Sequence, residues 1–372
     1  MTWQEEYRQN ITTAEQLREV LPMTDEEYRL IHEEAERFPM SISRYYCSLI
    51  DPSDPDDPIR RMAVPSSTGS SLEGLLDTSG EHSNTKHPGI QHKYRQTTLV
   101  LVATQCAMYC RYCFRRRLVG LDSEETVAAP ETLLRYIHEH PEITNCLLSG
   151  GDSFLLGTEE LEKWLDPLSH VEQLDFVRLG TRTPVTFPSR INKDPGLLEL
   201  LKRVCERKQL YVVTHFNHPK EFTPESIRAI TQLRECGIII KNQTVLLRGV
   251  NDNPETLAAL LRRVTSVGIV QHYIFQCRPV VGATNYFQVP LLEGSRIVNA
   301  ANALQNGLGK CADYTMSHHT GKIRILGQLE NGEMLFQYKQ AKDPARIGQL
   351  FAKKLEEDQK WLDYTQTDVQ HL

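Results

Sequence analysis

Residues 98–117 read Thr98-Leu99-Val100-Leu101-Val102-Ala103-Thr104-Gln105-Cys106-Ala107-Met108-Tyr109-Cys110-Arg111-Tyr112-Cys113-Phe114-Arg115-Arg116-Arg117. The first seven residues form a β-branched, apolar run of strand length. Cys106, Cys110 and Cys113 follow at once, in the spacing C-x3-C-x2-C. Three thiolates on one short loop can grip three corners of a cubane iron–sulfur cluster, leaving the fourth iron open to a small ligand. The arginines beside them favour thiolate over thiol, which helps metal binding. Structural zinc takes four closed ligands in paired spacings, and no fourth Cys or His lies at a matching distance.

Outward from this loop a rhythm sets in. Candidate strands fall at 98–104, 145–149, 176–181, 210–216, 238–247 and 272–277, with helical patterns at 131–140, 159–168, 196–206, 224–235, 254–266 and 294–306. Such alternation predicts an α/β fold of parallel strands joined by right-handed crossovers. Six units make an open sheet or a partial barrel. Upstream, residues 1–50 read as helices, with starts at Thr12-Thr13-Ala14 and Thr24-Asp25-Glu26-Glu27. The prolines of 51–58 break regular structure, and 64–92 read as a long wrapped connection. Near the end, Asn331-Gly332 predicts a hairpin between strands at 322–326 and 334–339. Residues 344–364 suggest a charged amphipathic helix. The chain therefore divides into an N-terminal helical region and connection (1–92), a (βα)6 core (93–310) and a C-terminal segment of hairpin plus helix (311–372).

The 372 residues are 40% hydrophobic and 24% charged, ordinary for a globular protein. A formal charge of −6 and a pI near 6.1 leave no basic footprint for nucleic acid. No apolar run reaches membrane-span length, and Met1-Thr2-Trp3-Gln4-Glu5-Glu6 lacks a signal core, so a cytoplasmic location is expected. Nine cysteines do not suit a disulfide scaffold in a chain this long. Cys47, Cys146, Cys205, Cys236, Cys277 and Cys311 stand singly and read as small buried hydrophobes.

The loop resembles the cluster loop of radical S-adenosylmethionine (SAM) enzymes, and the surrounding sequence resembles one branch, the lysine 2,3-aminomutase family. The likeness runs through residues 43–52, Ser149-Gly150-Gly151-Asp152, Arg182-Thr183-Pro184, Thr214-His215-Phe216-Asn217-His218-Pro219, Asn242-Gln243 and Leu246-Leu247-Arg248-Gly249-Val250-Asn251-Asp252, in order. It extends from the N-terminal helices to about residue 326. The resemblance implies a partial (βα)6 barrel with cofactors at the carboxyl ends of the strands, where the cysteine loop lies. It also implies an isomerase that moves an α-amino group to the β-carbon, using a [4Fe–4S] cluster, S-adenosylmethionine and pyridoxal 5′-phosphate, with an electron donor such as flavodoxin or ferredoxin.

Carried over residue by residue, the resemblance assigns the cluster to Cys106, Cys110 and Cys113. It assigns SAM to Ser149, Gly150, Gly151, Asp152, His215, Asn217 and Gln243. Lys322, in His318-His319-Thr320-Gly321-Lys322, takes the catalytic role of the lysine that forms a Schiff base with pyridoxal phosphate; the family's glycine-rich turn is mostly replaced here. Lys93 stands at one phosphate-binding position, and Thr97 stands where a second is usually Arg, with Arg95 as a substitute. Arg115 matches the arginine that clamps the substrate α-carboxylate.

The substrate pocket departs from the lysine-specific pattern. Two aspartates hold the distant ammonium in those members; Arg278 and Thr315 stand in their places. A cation facing an ammonium in a dry pocket is repulsive, so Arg278 predicts an acidic amino acid such as glutamate. Free lysine or protein-bound lysine is the alternative substrate. The family's zinc site is expected to be missing, since Asn253 replaces its cysteine and none follows Cys311. A homo-oligomer is possible, then held by packing alone.

Overall fold

The computed structural model describes residues 1–65, 73–121, 125 and 129–362. Among them twelve strands form one sheet in chain order. They are β1 Thr85–His87, β2 Ile90–Tyr94, β3 Thr97–Ala103, β4 Asn145–Gly150, β5 Phe176–Gly180, β6 Gln209–Thr214, β7 Ile239–Leu246, β8 Val270–Gln276, β9 Asp313–His318, β10 Gly321–Gln328, β11 Met334–Ala341 and β12 Leu350–Lys353. Pairing is parallel from β3 through β9 and antiparallel at both flanks.

The six strands expected from the sequence are β3 to β8, and each is followed by its crossover helix: Pro130–Glu139, Thr158–Ser169, Pro195–Cys205, Pro224–Glu235, Pro254–Ser266 and Leu291–Ala303. Proline opens four of these helices at a position where its missing N–H costs nothing, and Asp194, Thr223 and Asn253 cap three of them with side-chain oxygens. The inner layer alternates. In β5, Val177 and Leu179 pack outward against the helices while Arg178 lies on the opposite face. One apolar core runs between sheet and helices.

At the N-terminus, the predicted helix starts are present: Thr13 caps Ala14–Arg18, and Thr24 forms a capping box on Asp25–Arg37. Pro58 opens a further helix, Pro58–Ala63, capped by Asp57. The described part of 64–92 is more ordered than a connection, because β1 and β2 add an antiparallel ribbon to the edge of β3.

The helix expected over 344–364 is not formed in its described part. Pro344–Arg346 make a single tight turn, and β12 then pairs with β11. Gly348, at φ +82°, turns the chain back, and Phe351 stacks on Phe336 with ring centroids 5.2 Å apart. The open edge of β11 offers backbone partners that outweigh the weak helical pattern. Residues 363 and 364 lie outside the described residues. Among those described, no helix is long and apolar enough to cross a membrane.

Candidate active site

The cysteine loop leaves the carboxyl end of β3 and is pinned from two sides. Within the barrel, the turn after β4 holds its entry: Gly151 N–H donates to Ala103 O at 2.7 Å and Asp152 N–H to Gln105 O at 2.8 Å. The two glycines are required by this approach. A Cβ on Gly150 (φ +123°) would meet Ala103 O at 2.2 Å, and one on Gly151 would meet Gln105 O at 2.3 Å. From outside, the N-terminal region closes over the loop. Asn10 Nδ2 donates to Ala107 O at 2.9 Å, Tyr109 N–H to Ser41 O at 2.9 Å, and Arg111 N–H to Met62 O at 3.0 Å.

Burial drives the Cys106 thiol well up, with Asp152, Cys113 and Cys110 adding to it. Burial and the neighbouring Cys110 lift Cys113 to about 12, against the pull of Arg115 and Arg116. Cys106 and Cys113, which resist ionisation on their own, share one loop with Cys110, and such a set suits a bound cationic cluster that replaces the thiol protons. The donor set fits the group.

The arginines of the loop are largely buried and paired. Arg111 and Arg116 both pair with buried Glu34, at 2.8 and 2.9 Å. Arg115 donates from Nε to Glu81 Oε1 and from Nη1 to Ser149 Oγ, each at 2.8 Å. Glu81 went unrecognised in the sequence. It lies in the polar stretch before β1, where nothing marks one carboxylate as buried.

The residues assigned to SAM fall into two groups. Ser149 to Asp152 lie against the cluster loop. Asp152 is buried, with Oδ1 accepting from Phe154 N–H at 3.0 Å and Oδ2 from Arg182 N–H at 2.7 Å; burial raises its carboxyl above the ordinary range. Its oxygens are thus already engaged in shaping the turn. His215 follows β6, and burial, then Arg182, lower its imidazole to about 4, so it is neutral. Asn217 is tied into the frame: Nδ2 donates to Tyr112 Oη at 2.6 Å and Oδ1 accepts from Val245 N–H at 2.8 Å. Gln243 faces His272, 3.4 Å away.

Lys322 lies on β10, opposite Ser317 on one side and Gln340 on the other. Gly321 before it is needed, since a Cβ there would meet Gln340 O at 2.2 Å. His318 and Thr320, standing where the family has glycines, make a hydrogen-bonded turn: His318 Nδ1 to Thr320 Oγ1 at 2.7 Å, and Thr320 Oγ1 to Tyr338 Oη at 3.0 Å. The Lys322 ammonium sits 4.7 Å from the ring centre of Tyr273 and 5.9 Å from those of Tyr94 and Phe275. Among the described residues it has no hydrogen bond or ion pair. Burial lowers its pKa to about 7, with Arg178, Arg278 and Lys339 pushing the same way.

Lys93 donates to His318 O at 2.9 Å, and burial with Arg278, Lys322 and Lys342 brings it also to about 7. Arg95 is exposed on the turn between β2 and β3, so it does not serve as the second cation. Arg178 is the better placed residue. Its Nη2 donates to Asn145 Oδ1 at 2.7 Å, and Asn145 in turn donates to Thr97 Oγ1 at 3.1 Å. The Nε of Arg178 is buried with no hydrogen-bond partner among the described residues. A set of half-buried cations around one amine, with an orphaned guanidinium N–H, fits an anionic phosphate.

Arg278, after β8, donates to Ser317 Oγ at 2.7 Å and stacks over Phe114 at 4.2 Å. Arg115 stacks over the same ring at 4.9 Å. Thr315 is buried on β9 and donates to Asp313 O at 3.3 Å. Away from this site, His92, His140 and Glu142 bring possible ligand atoms within 4.8 Å of one another. Both ring nitrogens of His92 are already bonded there, to Tyr136 Oη and Arg95 O.

Residues 100–261 match the Radical SAM superfamily. A putative L-lysine 2,3-aminomutase of Aquifex aeolicus is 39% identical over 345 residues, 92% of each chain. The L-lysine 2,3-aminomutase of Clostridium subterminale is 35% identical, covering 82% of this chain and 73% of its own. The glutamate 2,3-aminomutase of Clostridioides difficile is 36% identical, covering 80% and 70%. Among solved structures, a radical SAM methyltransferase from Sphaerobacter thermophilus aligns at TM-score 0.38 and 18% identity, over 61% of this chain and 68% of that one. With a cysteine loop, barrel and long-range identity that agree, this chain belongs to the lysine 2,3-aminomutase family of radical SAM isomerases, which work with a [4Fe–4S] cluster, S-adenosylmethionine and pyridoxal phosphate.

Proposed function

We propose that the chain is a 2,3-aminomutase for a dicarboxylic amino acid such as glutamate. The observation that carries this is the pair of guanidinium groups on one ring: Arg115 and Arg278 pack over Phe114 at 4.9 and 4.2 Å. Two cations gathered around one ring suit a substrate with a carboxylate at each end. An ammonium-bearing side chain would meet Arg278 with like charge.

Cys106, Cys110 and Cys113 hold the cluster, with Ser149 to Asp152 and His215 lining the cofactor beside it. Lys322 carries the pyridoxal group, and Lys93 with Arg178 receives its phosphate. When bound, the cluster and S-adenosylmethionine supply a hydrogen-abstracting radical, and pyridoxal phosphate carries the migrating nitrogen. The protein holds and orients. Arg115, fixed by Glu81 and Ser149, grips the α-carboxylate. Arg278, fixed by Ser317, grips the side-chain carboxylate. Thr315 adds no negative charge to repel it. The N-terminal segment bonded to the cysteine loop keeps water from that side of the site.

The test is amino-acid profiling with anaerobically reconstituted enzyme. Glutamate is expected to give its β-isomer, and lysine none. Turnover of lysine without turnover of glutamate would sink the pocket argument.

A further inference from the structure

Arg182 follows β5, and every polar face of its guanidinium is occupied. Nε donates to His215 O at 3.0 Å, and Nη2 donates to Glu221 Oε1 at 2.7 Å and to Tyr46 Oη at 3.3 Å. Nη1 donates to Cys110 Sγ at 2.8 Å. Glu221 is fully buried. Its Oε1 also accepts from Tyr46 Oη at 2.7 Å, and its Oε2 from the N–H groups of Asn217 at 2.6 Å and His218 at 3.0 Å. The rings of Tyr46 and Tyr112 flank the guanidinium at 5.5 and 5.7 Å. Several parts of the chain therefore meet at one arginine; Nη2 also reaches Met62 Sδ at 3.8 Å, while Nη1 is aimed at the Cys110 sulfur.

This arrangement is costly to build and has a specific polarity. An arginine–carboxylate pair buried with all partners satisfied is rarely more stable than an apolar replacement, so stability alone does not account for it. Its negative partner, Glu221, stands on the Nη2 side, and the positive Nη1–H end faces the thiolate. Potentials of iron–sulfur clusters respond to hydrogen bonds on the sulfurs and to nearby charge. A donor on a ligand sulfur withdraws electron density and favours the more negative, reduced cluster.

We infer that Arg182 is a tuning residue: its hydrogen bond to iron-bound Cys110 raises the cluster's reduction potential and eases uptake of one electron from a low-potential donor. The inference rests on the cysteine loop holding the cluster, as proposed above. The electron comes from the donor and, with no S-adenosylmethionine bound to take it, is held on the cluster, and Arg182 neither gains nor loses a proton.

The test is an EPR-monitored redox titration of reconstituted wild-type, R182K and R182Q/E221Q enzyme, with iron counted per chain. The double substitution keeps the buried pair neutral and hydrogen-bonding, and R182K keeps charge while changing the donor geometry. Both variants are expected to carry the wild-type iron. In R182Q/E221Q the reduced-to-oxidised ratio at the wild-type midpoint should fall about tenfold, a shift of ~59 mV for one electron, with a smaller fall in R182K. If only R182K assembles, its smaller fall decides. An unchanged midpoint in a variant that holds full iron overturns the inference and leaves Arg182 purely architectural. Failure of the wild type itself to assemble a four-iron cluster would instead overturn the underlying cluster assignment, and the iron count separates the two.

Discussion

A lysine must lose its proton before it can attack an aldehyde, so loading of pyridoxal phosphate onto Lys322 should follow its neutral fraction. Burial, Arg178 and Arg278 set that fraction through a pKa of about 7. By that value the amine is about 9% neutral at pH 6 and about 91% neutral at pH 8. A solvated lysine, with its pKa near 10.4, would be neutral by only about 0.4% at pH 8. The loading rate of the cluster-free enzyme should therefore rise about tenfold from pH 6 to pH 8 and then level off. The alternative is a rise of about a hundredfold over the same interval, continuing through pH 9. Stopped-flow absorbance of the pyridoxal band gives the rates, and borohydride trapping with peptide mapping identifies the lysine. K322M should show no specific loading. A rate still climbing tenfold between pH 8 and pH 9 would refute the burial argument, and trapping at another lysine would refute the assignment.

The same displacement has a stability consequence. The unfolded chain binds a proton at Lys322 between about pH 7 and pH 10.5 that the folded chain does not, so folding stability rises with pH across that window. The slope is about 1.4 kcal/mol per pH unit for this lysine, and denaturant titrations of K322M should lose it. R278Q should lower kcat/KM for glutamate by about 10- to 100-fold, the worth of one charge-assisted hydrogen bond, and steady-state kinetics will read it. E81Q should raise the KM for glutamate several-fold at unchanged iron content, because the 2.8 Å bond orienting Arg115 becomes a neutral one. G151A should drive a Cβ to within 2.3 Å of Gln105 O and displace the entry to Cys106; iron per chain, measured after reconstitution, should fall below that of the wild type.

Much of the barrel was legible because its strands are short apolar runs rich in β-branched residues with one face packed against the helices, as in Leu210-Tyr211-Val212-Val213. The strand β9 escaped notice for the opposite reason. Asp313-Tyr314-Thr315-Met316-Ser317-His318 carries only two apolar residues, Tyr314 and Met316, and its place follows from pairing with β8 and β10, which no local pattern encodes. The cysteine loop announced itself by spacing. The glycines after β4 were expected to admit a ligand, whereas their closest neighbours are Ala103 and Gln105 of the cysteine loop. Arg178 was hidden inside a strand that reads as apolar, and only the pleat reveals that its side chain faces inward. Asn217 and Asp152 were assigned to the cofactor by resemblance, and their side chains also make bonds to the protein itself. A polar residue at a strand end has two employers, and sequence alone does not say which one it serves.

The docking of the N-terminal segment also bears on biogenesis. Trp3 packs with Ala107 and Phe187 and donates to Asp194 at 3.1 Å, partners that are translated roughly a hundred to two hundred residues later. During synthesis that flap must wait, undocked, while the cysteines emerge and the sheet assembles beneath them. The flap can dock only once residue 194 has been made, well after the cysteines emerge, and a bulky fusion placed just ahead of Trp3 would press on that seam.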